Sequence, residues 1–188
     1  RCLSRGLGDV YKRQVFQSGF PAEFIAEGLD QTRGWFYTLT VLAAGLFDQP
    51  AFRNVIVNGM VMAEDGKKMS KRLRNYTPPD DLMEEFGADS LRLYLINSGL
   101  MKGEEQRFTD AGVRDMIRRA LLPWTNAFSF LKTYAEIDGW APDELAFGDN
   151  VLDRWIISRL PTLKANIARE MESYRIYNVV PQLIAFIE

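Results

Sequence analysis

Apolar and polar positions divide the chain into two stretches of different rhythm. In the first, Phe24-Ile25-Ala26 is a short apolar run that reads as a buried strand, with Gly28 just after it. Asp30 suits the N-cap of the segment that follows. From Gln31 to Phe47 apolar residues occur on most faces, with Trp35, Leu39, Leu42 and Leu46 at helical spacing. A helix apolar nearly all round is expected to be buried, and Pro50 lies just beyond its end. Asn54-Val55-Ile56-Val57-Asn58 is short and β-branched, hence a core strand. Gly59 to Ala63 continues it, and Glu64-Asp65-Gly66-Lys67 forms a hairpin-type turn. Pro78-Pro79-Asp80-Asp81 opens a helix that runs to Phe86, because Pro fits a first turn and Asp complements its dipole. After Gly87, Ala88 to Ser98 is a second helix with Leu91, Tyr94, Leu95 and Ser98 on one side.

Beyond Gly103 the rhythm is helical throughout. Val113, Ile117, Leu121, Trp124, Phe128 and Leu131 predict a helix over Asp110–Ile137, kinked at Pro123. Asp138-Gly139-Trp140-Ala141-Pro142 breaks the run. Leu152, Ile156, Leu160, Leu163, Ile167 and Met171 mark another helix, and a third begins at Tyr177. Strand–helix–strand followed by helices only predicts an α/β domain leading into an α-helical one.

Composition narrows the function classes. The 188 residues suffice for one domain or parts of two, and 47% hydrophobic content supplies a core. A net charge of −2 means that any nucleic-acid contact must come from local patches. No apolar run approaches the ~20 residues needed to span a bilayer, so no membrane partner is expected. Cys2 is the sole cysteine, which excludes an internal disulfide. There is no histidine, so a Cys/His zinc site cannot form, and Ser-His-Asp and Cys-His catalysis are excluded. Residues 1–14 lack an initiator Met and the apolar core of a signal peptide. They resemble translated sequencing-adaptor read-through and are expected to be non-native. Val179 to Glu188 stops inside an apolar periodic segment, so the chain reads as an internal piece of something longer.

The chemistry concentrates in Asp65-Gly66-Lys67-Lys68-Met69-Ser70-Lys71-Arg72. Ammonium groups on flexible stems neutralise polyphosphate charge, Ser70 can donate a hydrogen bond, and Gly66 lets the loop move. Composition alone leaves open a nuclear signal or a solvated surface loop, and the solvated loop is the commoner fate of a lone basic cluster. Glu27 and Asp30 stand at the carboxyl end of a predicted parallel strand, the edge where open α/β sheets bind ligands. A carboxylate there can take ribose hydroxyls or an ammonium group. Asp30 is as readily a plain helix cap, and Gln31 a structural hydrogen-bonding residue. Trp35 lies one helical turn beyond Gln31 and can share its face, or sit in a core as helical aromatics commonly do. Arg33 is undecided. Arg114, Arg118, Arg119 and Lys132 could touch nucleic-acid phosphates, with solvated surface the commoner fate of such residues.

The order Lys68-Met69-Ser70-Lys71-Arg72 resembles the KMSKS-type signature of class I aminoacyl-tRNA synthetases, in a form ending in Arg. Phe24 to Phe36, including Glu27-Gly28-Leu29-Asp30-Gln31-Thr32-Arg33-Gly34-Trp35, resembles the isoleucyl form of their conserved strand-to-helix turn. Asn75, Asp89-Ser90-Leu91-Arg92 and Leu152-Asp153-Arg154-Trp155-Ile156 continue the likeness in order, from about Val15 to Glu188. The resemblance implies the C-terminal half of a Rossmann-type catalytic domain over 15–108. It implies an α-helical connection and the start of an anticodon-binding helix bundle over 109–188.

It further implies a cytoplasmic ligase that activates L-isoleucine with ATP and Mg²⁺ and transfers it to tRNA(Ile). Lys71 chiefly, with Lys68 and Ser70, would serve the ATP phosphates. Glu27 would contact the aminoacyl-adenylate, with Gly28, Asp30 and Gln31 nearby, and Trp35 would wall the isoleucine side-chain pocket. No protein metal ligand is implied within the chain. The HIGH-type signature, which carries histidines, and the editing insertion are not in this sequence, so these 188 residues alone are expected to be inactive. A sister valyl or leucyl enzyme and a non-catalytic RNA-binding paralogue are the alternatives.

Overall fold

A computed structural model describes Gln14, residues 16–141 and residues 149–188. Pro142 and, apart from Gln14, the expected non-native segment 1–14 lie outside the described residues. The chain forms two compact units, divided between Met60 and Val61.

In the first unit, β1 (Ala22–Gly28) and β2 (Phe52–Asn58) pair in parallel, with Ile25 opposite Val55, Glu27 opposite Val57 and Gly28 opposite Asn58. Both strands are longer than their apolar runs, because ladder hydrogen bonds carry polar flanks such as Glu23 and Arg53 as well. The crossover holds a 3₁₀ turn, Leu29–Arg33, and helix α1, Trp35–Phe47. Phe16, Phe20 and Phe47 cluster with ring centroids 4.6–5.0 Å apart, Phe16 stacked on Phe20 and Phe47 tilted against both. The expectation of a buried helix is corrected here: only Phe36 and Ala43 of α1 are buried, while Leu42 and Leu46 are exposed. A two-stranded sheet covers one stripe of a helix, and α1 is apolar on the others as well.

The second unit opens with β3 (Val61–Met62), which pairs in parallel with β4 (Gln106–Arg107). The turn after β3 is hairpin-like, as predicted: Ala63 N–H donates to Lys67 O at 2.8 Å, and Met62 bridges Lys68 antiparallel. Helices α2 (Pro79–Phe86) and α3 (Ala88–Ile96) meet at Gly87, whose φ of 81° suits a glycine. Ser98 ends the predicted α3 segment differently, by capping a separate 3₁₀ turn, Gly99–Lys102.

The long helix predicted over 110–137 is interrupted. Helix α4 (Asp110–Met116), capped by Thr109, passes through a π turn at Ile117–Leu121 into α5 (Leu122–Ile137). Pro123 lacks an N–H and cannot continue the α-helical ladder, and the wider turn immediately before it absorbs the mismatch. Helices α6 (Val151–Glu172) and α7 (Val179–Ile187) follow, with Ile176–Asn178 as a 3₁₀ lead-in.

Among the described residues of this unit, buried side chains gather in two apolar cores. Leu82, Phe108 and Val113 form one, with Val61, Met69, Leu91 and Leu95 packed against it. Met116, Ala120, Val180 and Ile184 form the other, with Leu93 and Ile96 beside them. Tyr94 packs against both. The arrangement joins parallel strands and a crossover helix to a helical region, the mixed α/β class expected from the sequence.

Candidate active site

The basic loop is anchored from below and stapled from the side. Met69 packs on the Leu82–Phe108–Val113 core and so anchors the loop between Lys68 and Ser70. Asn75 spans the loop: its Oδ1 accepts from the Ser70 N–H at 2.9 Å, and its Nδ2 donates to Lys68 O at 3.3 Å. Ser70 O then accepts from the N–H groups of Leu73 and Arg74, closing a tight turn around Lys71. Farther along, Thr77 donates to Asp110 at 3.0 Å and ties the loop exit to the start of α4.

The charges within the loop are sorted. Lys67 is neutralised by Asp65, with Nζ 3.3 Å from a carboxylate oxygen. The Lys67 N–H also donates to Asp65 Oδ1 at 2.9 Å, and this bond holds the Asp65 carboxyl below the usual carboxylate range. Among the described residues Lys68, Lys71, Arg72 and Arg74 form no ion pair, and the lysine side chains are exposed. The loop thus presents cations whose charge is uncompensated, which is what an anionic ligand requires. Beside it, Glu64, Met69, Arg74, Asn75, Tyr76, Thr77, Phe108 and Asp110 line part of a polar pocket of about 380 Å³.

The first unit gathers the other expected residues at the carboxyl end of β1. Glu27 is exposed, and among the described residues its carboxylate has no hydrogen bond or ion pair. Asp30 curls back over Gly28: a Cβ on Gly28 would stand 2.6 Å from Asp30 Oδ1. The helix cap expected of Asp30 belongs instead to Gln31, whose Oε1 accepts from the Trp35 N–H at 3.0 Å. The 3₁₀ turn explains the exchange, since it moves Asp30 a turn away from the start of α1 and leaves the longer Gln31 side chain to reach it. Gly34 is required by this arrangement, because a Cβ there would meet Gln31 Oε1 at 2.5 Å. Trp35 is 65% exposed, so it is not a core tryptophan of this unit. Gly28 with Asp30, and Gln31 with Trp35, are therefore brought together, whereas Arg33 forms no ion pair among the described residues.

The four cations singled out on the helical region are each paired. Arg114 pairs with Glu85 at 3.5 Å, Arg118 with Asp115 at 2.6 Å, Arg119 with Glu188 at 2.6 Å, and Lys132 with Glu136 at 3.9 Å. These pairs are those of a solvated surface, the commoner reading of such residues. Sequence reasoning missed the bracing roles of Met69 and Thr77; the only signal was an apolar residue between two polar ones in a loop.

Comparisons with known proteins bear on this geometry. The family model for tRNA synthetases class I (I, L, M and V) matches residues 6–107. The isoleucine–tRNA ligase of Bdellovibrio bacteriovorus is 54% identical over 92% of this chain and 16% of its own length. That of Treponema denticola is 49% identical over 94% of the chain and 17% of its length. The cytoplasmic isoleucine–tRNA ligase of Schizosaccharomyces pombe is 51% identical over 93% and 17%. The chain thus spans about a sixth of the length of these curated relatives.

Among solved structures, Mycobacterium tuberculosis methionyl-tRNA synthetase in complex with methionyl-adenylate superposes with a TM-score of 0.70. The match is at 20% identity and covers 92% of this chain and 34% of that one. The LeuRS–tRNA–LeuAMS ternary complex of Agrobacterium radiobacter K84 gives a TM-score of 0.66 at 23% identity, over 89% of this chain and 22% of that one. At such identities the likeness is one of fold.

Proposed function

The chain belongs to the class I tRNA synthetases of the I, L, M and V group, and on that premise we propose that it is part of an isoleucine–tRNA ligase. Residues 15–108 are the second half of its catalytic domain. Residues 109–188 are the helical connection and the start of the anticodon-binding bundle. The parent protein activates L-isoleucine with the Mg²⁺ complex of ATP and passes it to tRNA(Ile) in the cytoplasm.

In activation, an oxygen of the isoleucine carboxylate attacks the α-phosphorus of ATP. The bond from that phosphorus to the bridging oxygen breaks, and pyrophosphate leaves with the electron pair. The amino acid supplies the nucleophile, so the protein contributes placement and charge stabilisation. Lys71 and Lys68 neutralise charge that develops on the phosphate oxygens, and Ser70 donates a hydrogen bond beside them. Glu27, at the end of β1, accepts hydrogen bonds from the adenylate. Asp30 and Gln31 shape the adjoining turn over Gly28, and Trp35 offers an apolar wall to the isoleucine side chain.

The observation that carries this reading is the loop itself: two lysines free of carboxylate partners, on a backbone pinned by Asn75 and anchored by Met69. Around it, identity of 49–54% to the isoleucine–tRNA ligases of two bacteria supports isoleucine over its sister substrates. The test is amino-acid-dependent exchange of pyrophosphate into ATP by the full-length protein that carries this chain. Exchange supported by isoleucine in preference to valine or leucine is expected; preference for either of the others overturns the assignment.

A further inference from the structure

Strand register places one more cation beside the lysine motif. Met62 pairs along one edge with Lys68, antiparallel, and along the other with Arg107, parallel. Residues directly opposite in a sheet project to the same face, and neighbouring strands lie about 4.8 Å apart. Lys68 and Arg107 therefore share a face, with backbones about 10 Å apart and both side chains long enough to converge between them.

The Arg107 side chain is turned that way. A Cβ on Gly66, in the turn that joins Met62 to the lysines, would stand 3.1 Å from Arg107 Nε and 3.2 Å from Nη2. The guanidinium thus reaches across β3 to the turn. Its base is rigid: Arg107 O accepts from Gln106 Nε2 at 2.9 Å and Tyr94 Oη at 3.1 Å, and the next residue, Phe108, is buried and donates its N–H to Met62 O at 2.9 Å. The side chain is exposed and, among the described residues, forms no ion pair. The fixed backbone sets where the side chain starts, and its uncompensated charge is left facing the turn that carries the lysines.

We propose that Arg107 is a further phosphate-binding residue of the loop, taking oxygens of the terminal phosphates of ATP and then of the departing pyrophosphate. A planar fork of N–H donors suits two phosphate oxygens at once, a geometry that the point charges of Lys68 and Lys71 do not provide. The absence of a Cβ at Gly66 leaves the room through which the guanidinium reaches the loop.

This inference rests on the reading of the loop as a triphosphate site, and one assay separates the two. In full-length protein, exchange kinetics are measured with ATP and inorganic pyrophosphate for Arg107→Gln, Arg107→Lys and Lys71→Ala. Arg107→Gln keeps a flat, polar group over Gly66 but removes the charge. It is expected to raise KM for ATP and for pyrophosphate about 10-fold with KM for isoleucine unchanged, and Arg107→Lys to recover part of the loss. Arg107→Gln with wild-type KM for ATP and pyrophosphate, while Lys71→Ala is impaired, removes Arg107 from the site and leaves the loop assignment standing. If Lys71→Ala is also unimpaired, the loop assignment falls and Arg107 with it.

Discussion

Asn75 shows how much of the loop depends on one uncharged side chain. It satisfies two backbone groups, the Ser70 N–H and the Lys68 carbonyl, which lie on either side of Met69. Asn75→Ala removes both bonds and frees the lysines without touching their charge. Single-turnover adenylate formation is expected to slow by about 10-fold with little change in isoleucine affinity, because the cost falls on a geometry needed in the transition state. An equal loss of isoleucine affinity would show that Asn75 acts elsewhere. Residue order alone singles out Lys68, Ser70 and Lys71 as a motif, though not the Asn75 bonds that brace it. The Gln31 cap was not legible either: a propensity scale gives the cap to Asp30, since aspartate is favoured there, and only the intervening 3₁₀ turn makes the longer side chain the one that reaches Trp35. Gly34→Ala drives a Cβ into Gln31 Oε1 and should release this cap. A destabilisation of about 0.5–2 kcal/mol in chemical denaturation is expected, and an unchanged midpoint would contradict the capping role.

Among the elements, the junction of α6 and α7 is fixed by a carboxylate. Glu170, 7% exposed, accepts from Arg175 Nε at 2.7 Å, from Arg175 Nη2 at 3.1 Å and from Asn178 Nδ2 at 2.8 Å. The Arg175 hydrogen bonds first, then the one from Asn178, lower its pKa from an ordinary 4.5 to about 2 against the opposing effect of burial. A carboxyl depressed in the folded state stabilises it above the unfolded value, and that contribution is lost as pH falls from about 4.5 toward 2. Glu170→Gln should therefore unfold at lower denaturant than the parent chain at pH 7, and the gap should narrow steadily below pH 4.5. A gap independent of pH would mean that the ionised form contributes nothing. The helices on either side of this lock could be read from their apolar periods. The lock could not, because Glu170, Arg175 and Asn178 carry no periodic signal and meet only through the 3₁₀ lead-in to α7. In the same way Pro123 marks a disturbance in the 110–137 helix, but not that the disturbance is a π turn placed ahead of it.

At the scale of the molecule, the second unit carries its own core beneath the candidate loop. The second unit rests on Leu82, Phe108 and Val113, which also receive Met69 from the loop. Leu82 is 3% exposed, so Leu82→Ala leaves a cavity and should cost about 2–5 kcal/mol in the unfolding of that unit. A cost below about 0.5 kcal/mol, the range of ordinary surface changes, would contradict its core role. Fold class was legible because parallel strands flanking a helix have a distinct apolar signature. Burial was less so: α1 and α5 are apolar enough to be covered, yet Trp35, Leu46, Phe130 and Ile137 stand more than half exposed. A hydrophobic pattern reports what a segment is suited to touch, and coverage depends on partners outside the segment.

The central claim is that the braced lysines carry the phosphate chemistry of isoleucine activation, and Lys71 tests it most directly. Pre-steady-state adenylate formation would be measured in the full-length protein for wild type and Lys71→Ala, with isoleucine saturating. A fall of at least ~10-fold in the activation rate, with isoleucine binding little changed, is the predicted result. An unchanged activation rate would contradict the account and return the loop to an ordinary solvated turn.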